Sequence, residues 1–202
     1  MANESPLAES AETRADAAPQ ERVVLDDLGI RRSLLRIAHE IVERNEDLGS
    51  LYIVGVPNGG VPLARQLAEN LREITGTSVV VGILDTTLYR DDLLGSGERP
   101  PLRRTEMPSA VDDRIVILVD DVFSTGRTVR AAMDALIDFG RPRAVQVVAL
   151  IDRGHRELPI KIDYVGKNIP TSRRERVVVR GRSGTLEGPL EVVVLSGEGE
   201  ER

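Results

Sequence analysis

The sequence predicts an α/β fold in which a mostly parallel, twisted sheet carries helices on both faces. Three observations support this prediction. The chain has 202 residues and a mass of 22.1 kDa, which suits one domain with tails. Its residues are 41 % hydrophobic and 30 % charged, as is typical of globular proteins. Short apolar runs alternate with amphipathic stretches, and strands that are buried on both faces of a parallel sheet have such continuous apolar runs.

The apolar pattern predicts three helices and four strands. A first helix begins at a cap formed by Asp26 or Asp27, because apolar side chains then recur at the helical period. These apolar residues are Ile30, Leu34, Ile37, Ala38 and Ile41. The predicted strands are 51–56, 77–84, 114–119 and 144–151. Helices over about 61–74 and 128–139 follow the first and third strands.

Four segments lack this pattern. Residues 1–20 and 196–202 have no sustained apolar periodicity, and we expect them to be disordered tails around a domain over 21–195. Residues 85–113 and 152–174 are long polar interruptions, and such insertions are more often lids or binding loops than simple connectors. We therefore expect a flexible arm over the first of these interruptions and a hood over the second.

The composition excludes several classes of site. The chain has no cysteine, so it has no disulfide, thiolate zinc site or cysteine nucleophile, and its two histidines are too few for a histidine-rich metal centre. Its three Tyr and two Phe, with a formal net charge of -6, argue against a general nucleic-acid binder with a base-stacking platform. No apolar run approaches the length of about 18 residues that suggests a membrane span, and the N-terminus lacks signal-peptide features. We expect a cytoplasmic protein with no membrane contact.

The segment 115–128 (IVILVDDVFSTGRT) carries the most informative chemistry. A strand there ends in two carboxylates, Asp120 and Asp121, and parallel sheets bind ligands at the carboxyl ends of their strands. The loop 124–128 then offers hydroxyls, backbone N–H groups, a glycine and the start of a helix, which together suit a phosphate monoester. Carboxylates beside such a loop predict a ligand that is both phosphorylated and rich in hydroxyls, such as a ribose phosphate.

This segment resembles the motif with which type I phosphoribosyltransferases bind phosphoribosyl pyrophosphate (PRPP). Four blocks resemble the PyrR family more specifically: RIAHEIVERN at 36–45, TTLYRDDL at 86–93, VDDVFSTGRTVRAAMDAL at 119–136 and DRGHRELPIKIDYVGKNIPTS at 152–172. The resemblance spans about 23–179. PyrR proteins are pyrimidine operon regulators that also act as uracil phosphoribosyltransferases. The resemblance therefore implies the type I phosphoribosyltransferase fold.

The resemblance implies that uracil reacts with PRPP to give UMP and diphosphate, with Mg²⁺ bound through PRPP and no dedicated metal site in the protein. Asp120 and Asp121 would hold the ribose hydroxyls. Arg90 would join them as a catalytic residue from the arm, which closes over PRPP and excludes water. Arg153 would lie against the base. The implied substrate-binding residues are Pro57, Asn58, Gly59, Gly60, Asp120, Asp121, Val122, Phe123, Ser124, Thr125, Gly126, Arg127, Thr128 and Arg153.

The loop 57–60 departs from the family pattern. The fold normally binds diphosphate there, and PyrR members generally place basic residues and a threonine in this loop. Pro57 has neither a charge nor an N–H, and Gly59 stands where an arginine is expected. Losing a cation opposite a diphosphate costs about 1.5–3 kcal/mol, or about tenfold to a hundredfold in affinity. We expect reduced rather than absent transferase activity, because the backbone amides of Gly59 and Gly60 can still form an anion nest.

PyrR regulators bind a stem-loop of the pyrimidine leader mRNA through a basic face that is distinct from the active site. The residues that match this face are His39, Arg44, Arg156, Lys161 and Lys167. The resemblance also implies a homodimer or a homotetramer.

Three hypotheses remain open from the sequence. The first is a PyrR-type protein with both activities, which the breadth of the resemblance favours. The second is an RNA-binding regulator that senses UMP or PRPP with weak catalysis, which Pro57 and Gly59 favour. The third is a phosphoribosyltransferase for another base with no RNA role, which the net charge of -6 and the few aromatic residues favour.

Overall fold

A five-stranded parallel sheet forms the centre of the fold in a computed structural model, which describes residues 20–57, 59–91, 101–181, 186 and 188–196. Its strands are β2 (Leu51–Gly55), β3 (Val80–Ile83), β4 (Ile115–Phe123), β5 (Ala144–Asp152) and β6 (Tyr164–Asn168). They follow the spatial order β3, β2, β4, β5, β6 and are parallel throughout. The strand order reverses between β2 and β4, and a crevice at the carboxyl edge of a parallel sheet forms at such a reversal.

Helices cover both faces of this sheet, as predicted. On one face lie α1 (Asp27–Arg44) and α2 (Gly60–Thr75), and on the other lies α3 (Arg127–Leu136). The predicted apolar side chains of α1 are all buried against the sheet. Of the two predicted caps, Asp26 is the one the structure uses, since its carboxylate accepts a hydrogen bond of 2.8 Å from the Gly29 N–H. Among the described helices, none is both long and apolar enough to cross a membrane.

The segment 152–174, predicted as a hood, contains β6, the edge strand of the parallel sheet. The polar composition of this segment hid the strand, because an edge strand keeps polar residues at its exposed positions and lacks a continuous apolar run. Lys167 and Asn168 are exposed in β6, whereas Tyr164 is buried. The segment predicted as a hood thus includes a strand that is not among the four predicted from the sequence.

A second, antiparallel sheet went unpredicted. It joins β1 (Gln20–Leu25), β8 (Leu190–Ser196) and β7 (Glu175–Gly181) in the order β1, β8, β7. The valine runs 177–179 and 192–194 were the signal that could have found it, since β-branched residues favour strands. The strands extend one residue beyond the predicted domain at each end, to Gln20 and Ser196. The rest of both predicted tails lies outside the described residues.

Candidate active site

Two adjacent carboxylates lie near the end of β4, at the sheet reversal. Asp120 is 5 % exposed and pairs in register with Ala149 of β5, while Asp121 is partly buried. The N–H of Asp121 donates to Asp120 Oδ1 at 3.1 Å, and the N–H of Val122 donates to Asp121 Oδ1 at 2.9 Å. Both hydrogen bonds use Oδ1. Asp120 lines the cavity described below, whereas Asp121 Oδ2 lies against Gly59.

Burial is the main influence on the charge of this pair. It raises the pKa of Asp120 well above the ordinary value of an aspartate, and the neighbouring charge of Asp121 adds to this rise, while Arg90 opposes it. Burial also raises the pKa of Asp121, although the hydrogen bond from Val122 works in the opposite direction. Two ionised carboxylates are therefore costly here, and a ligand that brings hydroxyl donors or a cation reduces that cost.

A cavity of about 230 Å³ lies beside Asp120, between the end of β4 and the start of α3. Its walls include Ser124, Thr125, Gly126 and Thr128, which are four of the five residues of the predicted phosphate loop. Gly126 has a φ of 93°, a left-handed conformation that glycine adopts without strain, and α3 begins at the next residue. The cavity thus combines hydroxyls with the positive end of a helix dipole, as an oxyanion requires.

Arg90 reaches this cavity from the start of the arm. It lines the cavity, and its Nη1 donates to Thr128 Oγ1 at 3.1 Å. The structure therefore places Arg90 beside Asp120 and the loop residues Ser124, Thr125, Gly126 and Thr128, although Arg90 and Thr128 are 38 residues apart in the sequence. Residues 92–100 of the predicted arm lie outside the described residues.

Arg127 holds the arm against the loop after β5. Its Nη1 lies 2.6 Å from Asp91 Oδ2, and its Nη2 lies 2.9 Å from Glu157 Oε2. Arg130, one turn further along α3, lies 2.9 Å from the other oxygen of Asp91. Arg127 was predicted as a substrate-binding residue. In the structure its side chain does not line the cavity beside Asp120 and forms these ion pairs. Sequence reasoning missed Arg130, although the spacing of three between the two arginines places them on one helix face.

The loop 57–60 packs directly against the acidic pair. A β-carbon on Gly59 would lie 2.6 Å from Asp121 Cγ and 2.7 Å from Asp121 Cβ, and one on Gly60 would overlap the carbonyl oxygen of Val119. A side chain at either position therefore requires its surroundings to move. Pro57 is partly buried beside them, and Asn58 lies outside the described residues.

Arg153, predicted to lie against the base, bonds to the segment that follows β6. Its Nε donates to Thr171 Oγ1 at 3.1 Å, and its Nη2 donates to the carbonyl oxygens of Ser172 and Glu175 at 3.1 and 2.8 Å. Arg153 thus ties the end of β5 to the segment that leads into β7, and it does not line the cavity beside Asp120.

The five residues predicted for RNA binding separate into two places. His39 and Arg44 belong to α1, which packs beside β6, the strand that contains Lys167. Lys161 precedes that strand by three residues. Arg156 instead lies at the crevice, where its guanidinium is 5.2 Å from the centre of the Phe123 ring and 2.6 Å from Asp152.

Two of these basic side chains already have partners. Arg44 Nη1 lies 2.7 Å from Asp163 Oδ1, and Lys167 Nζ donates to the Val24 carbonyl oxygen at 3.0 Å. Arg36, which sequence reasoning did not assign to this surface, donates to the carbonyl oxygens of Val165 and Gly166 at 2.9 and 2.8 Å. We call the surface formed by Arg36, His39, Arg44, Lys161 and Lys167 the α1–β6 face.

A model of the phosphoribosyl transferase domain family matches residues 26–180. A protein named Bifunctional protein PyrR from Pelotomaculum thermopropionicum is 57 % identical over 178 residues, which cover 88 % of this chain and 97 % of that protein. Proteins of the same name from Citrifermentans bemidjiense and Bacillus velezensis are 51 % and 53 % identical, covering 85 % and 80 % of this chain and 96 % and 90 % of theirs.

Solved structures show the same fold at low identity. A hypoxanthine phosphoribosyltransferase from Trypanosoma cruzi superposes with a TM-score of 0.67 at 20 % identity, covering 90 % of this chain and 94 % of that one. A hypoxanthine phosphoribosyltransferase from Staphylococcus aureus gives 0.60 at 19 % identity, covering 76 % and 79 %. These likenesses confirm the predicted type I phosphoribosyltransferase fold.

Proposed function

Since the chain belongs to the PyrR family of phosphoribosyltransferases, we propose that it transfers the ribose 5-phosphate of PRPP to uracil and regulates a pyrimidine operon by binding leader mRNA. Of the three hypotheses that the sequence left open, this is the first. Identity above 50 % over more than four-fifths of the chain to proteins named Bifunctional protein PyrR favours it over a transferase for another base with no RNA role.

One observation carries the assignment of the transferase site: the cavity lined by Asp120 is also lined by Ser124, Thr125, Gly126 and Thr128. A ribose 5-phosphate needs hydrogen-bond acceptors for its 2- and 3-hydroxyls and an anion site for its phosphate. Asp120 and Asp121 supply the acceptors, and the hydroxyls and N–H groups of the loop supply the anion site. Carbon 1, at the end of the sugar remote from the 5-phosphate, then faces the loop 57–60, which packs against Asp121.

The reaction in this site proceeds by positioning and charge neutralisation and needs no covalent nucleophile. As the bond from carbon 1 to diphosphate breaks, positive charge develops on the sugar ring and negative charge on the leaving group. Asp120 and Asp121 hold the ring in place and face its positive charge. Arg90, which lies in the cavity and offsets the charge of Asp120, positions the phosphorylated end together with Thr128.

Mg²⁺ fits this arrangement as an ion carried by PRPP. Among the described residues, no three His, Asp or Glu side chains are grouped to hold a metal ion, but Asp120 and Asp121 offer the hard oxygen ligands that Mg²⁺ accepts alongside substrate oxygens. When bound, the ion neutralises charge on the diphosphate. Arg127 and Arg130 hold the arm through Asp91, so that the arm can exclude water from the occupied site.

Purified protein with saturating PRPP, uracil and Mg²⁺ is expected to form UMP. The rate is expected to be lower than that of PyrR relatives with basic residues in the loop 57–60, by about tenfold to a hundredfold, because this loop offers no cation. Adenine, guanine and hypoxanthine serve as control bases in the same assay. An undetectable UMP yield, or a preference for a purine, would contradict the proposed reaction.

For the regulatory activity, we propose the α1–β6 face as the RNA surface. Lys161→Ala is expected to flatten the dependence of leader-RNA affinity on salt by about one ion, since each phosphate contact releases about 0.7–0.9 counterions. A gel shift between 50 and 200 mM salt, with and without UMP, measures this slope. The matched control is Arg141→Ala, an exposed cation in the loop between α3 and β5. An unchanged slope for Lys161→Ala would remove Lys161 from the RNA surface.

The remaining assignments are also proposals. We propose that the protein acts in the cytoplasm and assembles as a homodimer or homotetramer, as the family resemblance implies. We propose that Arg156 belongs to the crevice and not to the α1–β6 face, because it lies over Phe123, which lines the cavity beside Asp120.

A further inference from the structure

Arg90 reaches the cavity beside Asp120 from a stretch of chain that is held on both sides of it. It follows the short 3₁₀ helix Thr87–Tyr89, and Asp91 comes next. Its side chain lines the cavity and donates to Thr128 Oγ1 at 3.1 Å. A long arginine side chain that is held to one hydroxyl loses rotamer freedom, so its placement depends on how firmly its own backbone is fixed.

Arg130 of α3 binds both chain neighbours of Arg90. Its Nη2 donates to the Tyr89 carbonyl oxygen at 3.2 Å and lies 2.9 Å from Asp91 Oδ1. One guanidinium group thus bridges the residue before Arg90 and the residue after it. The N–H groups of a guanidinium lie in one plane with fixed directions, so this bridge also sets the spacing between its two acceptors.

Arg130 is itself held in place by its own helix. Its Nη1 lies 3.0 Å from Asp134 Oδ2, one turn further along α3, and its side chain is 33 % exposed. The preceding residue, Val129, is fully buried and lines the cavity. Because α3 begins within the loop 124–128, the bridge ties Arg90 to the helix that shapes the predicted phosphate site.

The carboxylate of Asp91 is paired on both oxygens. Arg130 holds Oδ1, and Arg127 Nη1 lies 2.6 Å from Oδ2. The side chain of Asp91 is 46 % exposed, and an ion pair of that exposure contributes little to stability by itself. The two pairs share one acceptor, however, so together they fix the direction of the chain that leaves Arg90.

We propose that Arg130 is a positioning residue for Arg90, which it sets beside Asp120 by bridging Tyr89 and Asp91. This inference rests on the proposed function, because it assigns Arg90 to the site that binds the ribose phosphate. Within the described part of the chain, the lining of the cavity includes Arg90 but neither Arg130 nor Asp91. Arg130 therefore acts on a ligand through Arg90 and makes no contact of its own to it.

A double-mutant cycle tests this assignment, with UMP formation at varied PRPP and calorimetric titration of UMP as the two measurements. Arg90→Gln is expected to lower kcat/KM and UMP affinity by about tenfold to a hundredfold, as for the loss of a charge-assisted bond. Arg130→Gln alone is expected to lower both by about threefold to tenfold, since Arg127 still holds Asp91. In the double variant, Arg130→Gln is expected to add no further loss, because the side chain that it positions is already absent.

Arg130→Lys, which keeps a charge opposite Asp91, is expected to recover part of the loss. The matched control is Arg72→Gln, an exposed arginine of α2 that pairs with Glu69 at 2.5 Å. It should leave both measurements unchanged. If Arg130→Gln does not fold, Asp91→Asn takes its place in the cycle, because it removes the same bridge from the side of the arm.

Unaltered values for Arg130→Gln, or losses that add in full in the double variant, would overturn the inference and leave the ribose phosphate site intact. Full additivity would mean that Arg130 acts independently of Arg90. An unaltered protein that formed no UMP would contradict the proposed reaction, while the UMP titrations would still decide the inference. One that also bound no UMP would overturn both.

Discussion

Asp120→Asn is expected to lower kcat/KM for PRPP by about tenfold to a hundredfold, because the amide replaces a carboxylate that accepts hydrogen bonds from a ribose hydroxyl. Asp121→Asn is expected to act in the same direction. The asparagine at 120 can still accept the hydrogen bond that the Asp121 N–H makes to Asp120 Oδ1, so the backbone at the end of β4 should keep its shape. Steady-state UMP formation at varied PRPP measures the effect.

The same substitution is expected to stabilise the fold at neutral pH, by about 0.5–2 kcal/mol. Burial and Asp121 raise the pKa of Asp120, so between its ordinary pKa and its raised folded pKa the folded state binds a proton that the unfolded state releases. The stability that this group contributes is complete below its ordinary pKa and is lost as the pH rises through its raised folded pKa. In thermal melts, the melting temperature of the variant relative to that of the unaltered protein should therefore increase as the pH rises through that interval.

Asp47→Asn is the control for both measurements, since this exposed aspartate makes no side-chain cap hydrogen bond at the short helix that follows it. It should change neither activity nor the pH dependence of stability. If Asp120→Asn lost stability and kept its activity, Asp120 would be a structural residue, and the assignment of the ribose site to this carboxylate would be wrong.

Gly59→Ala is expected to reduce PRPP affinity by tenfold or more, on the order of the loss of one charge-assisted hydrogen bond to the sugar. The added β-carbon would lie 2.7 Å from Asp121 Cβ, which a rotation of the Asp121 side chain cannot relieve. The loop 57–60 or the end of β4 must then move. Calorimetry with PRPP and UMP measures the consequence, and both ligands should be affected because both carry the ribose.

Gly49→Ala provides the comparison for this variant. Gly49 is exposed, and a β-carbon there would meet its nearest neighbour, Asp47 Oδ1, at an ordinary 3.4 Å. Binding and stability should be unchanged. If Gly59→Ala bound both ligands normally, the loop would be free to move away from Asp121, and its close packing would have no part in holding the sugar.

The sequence was sufficient to place the parts of the site that are local. Asp120, Asp121 and the loop 124–128 are consecutive, and a strand followed by a helix fixes their relative positions whatever surrounds them. The apolar faces of α1 and α2 were also predictable, because one-sided burial imposes a helical period on the sequence.

The parts that depend on long-range packing were not predictable from local pattern. The sequence does not show which groups Arg153 bonds to, and only the tertiary structure shows that it donates to Thr171, Ser172 and Glu175. The place of Arg156 over Phe123 depends likewise on how the loop after β5 folds back. The antiparallel sheet pairs β1 with β8, whose residues are separated by most of the chain.

The most direct test of the ribose phosphate site is a crystal structure of the protein with UMP. Both ribose hydroxyls are expected within about 2.6–3.0 Å of carboxylate oxygens of Asp120 and Asp121, with the phosphate against the N–H groups and hydroxyls of 124–128. A nucleotide bound away from this cavity, or one whose phosphate lies at the carboxylates and whose ribose does not, would contradict it.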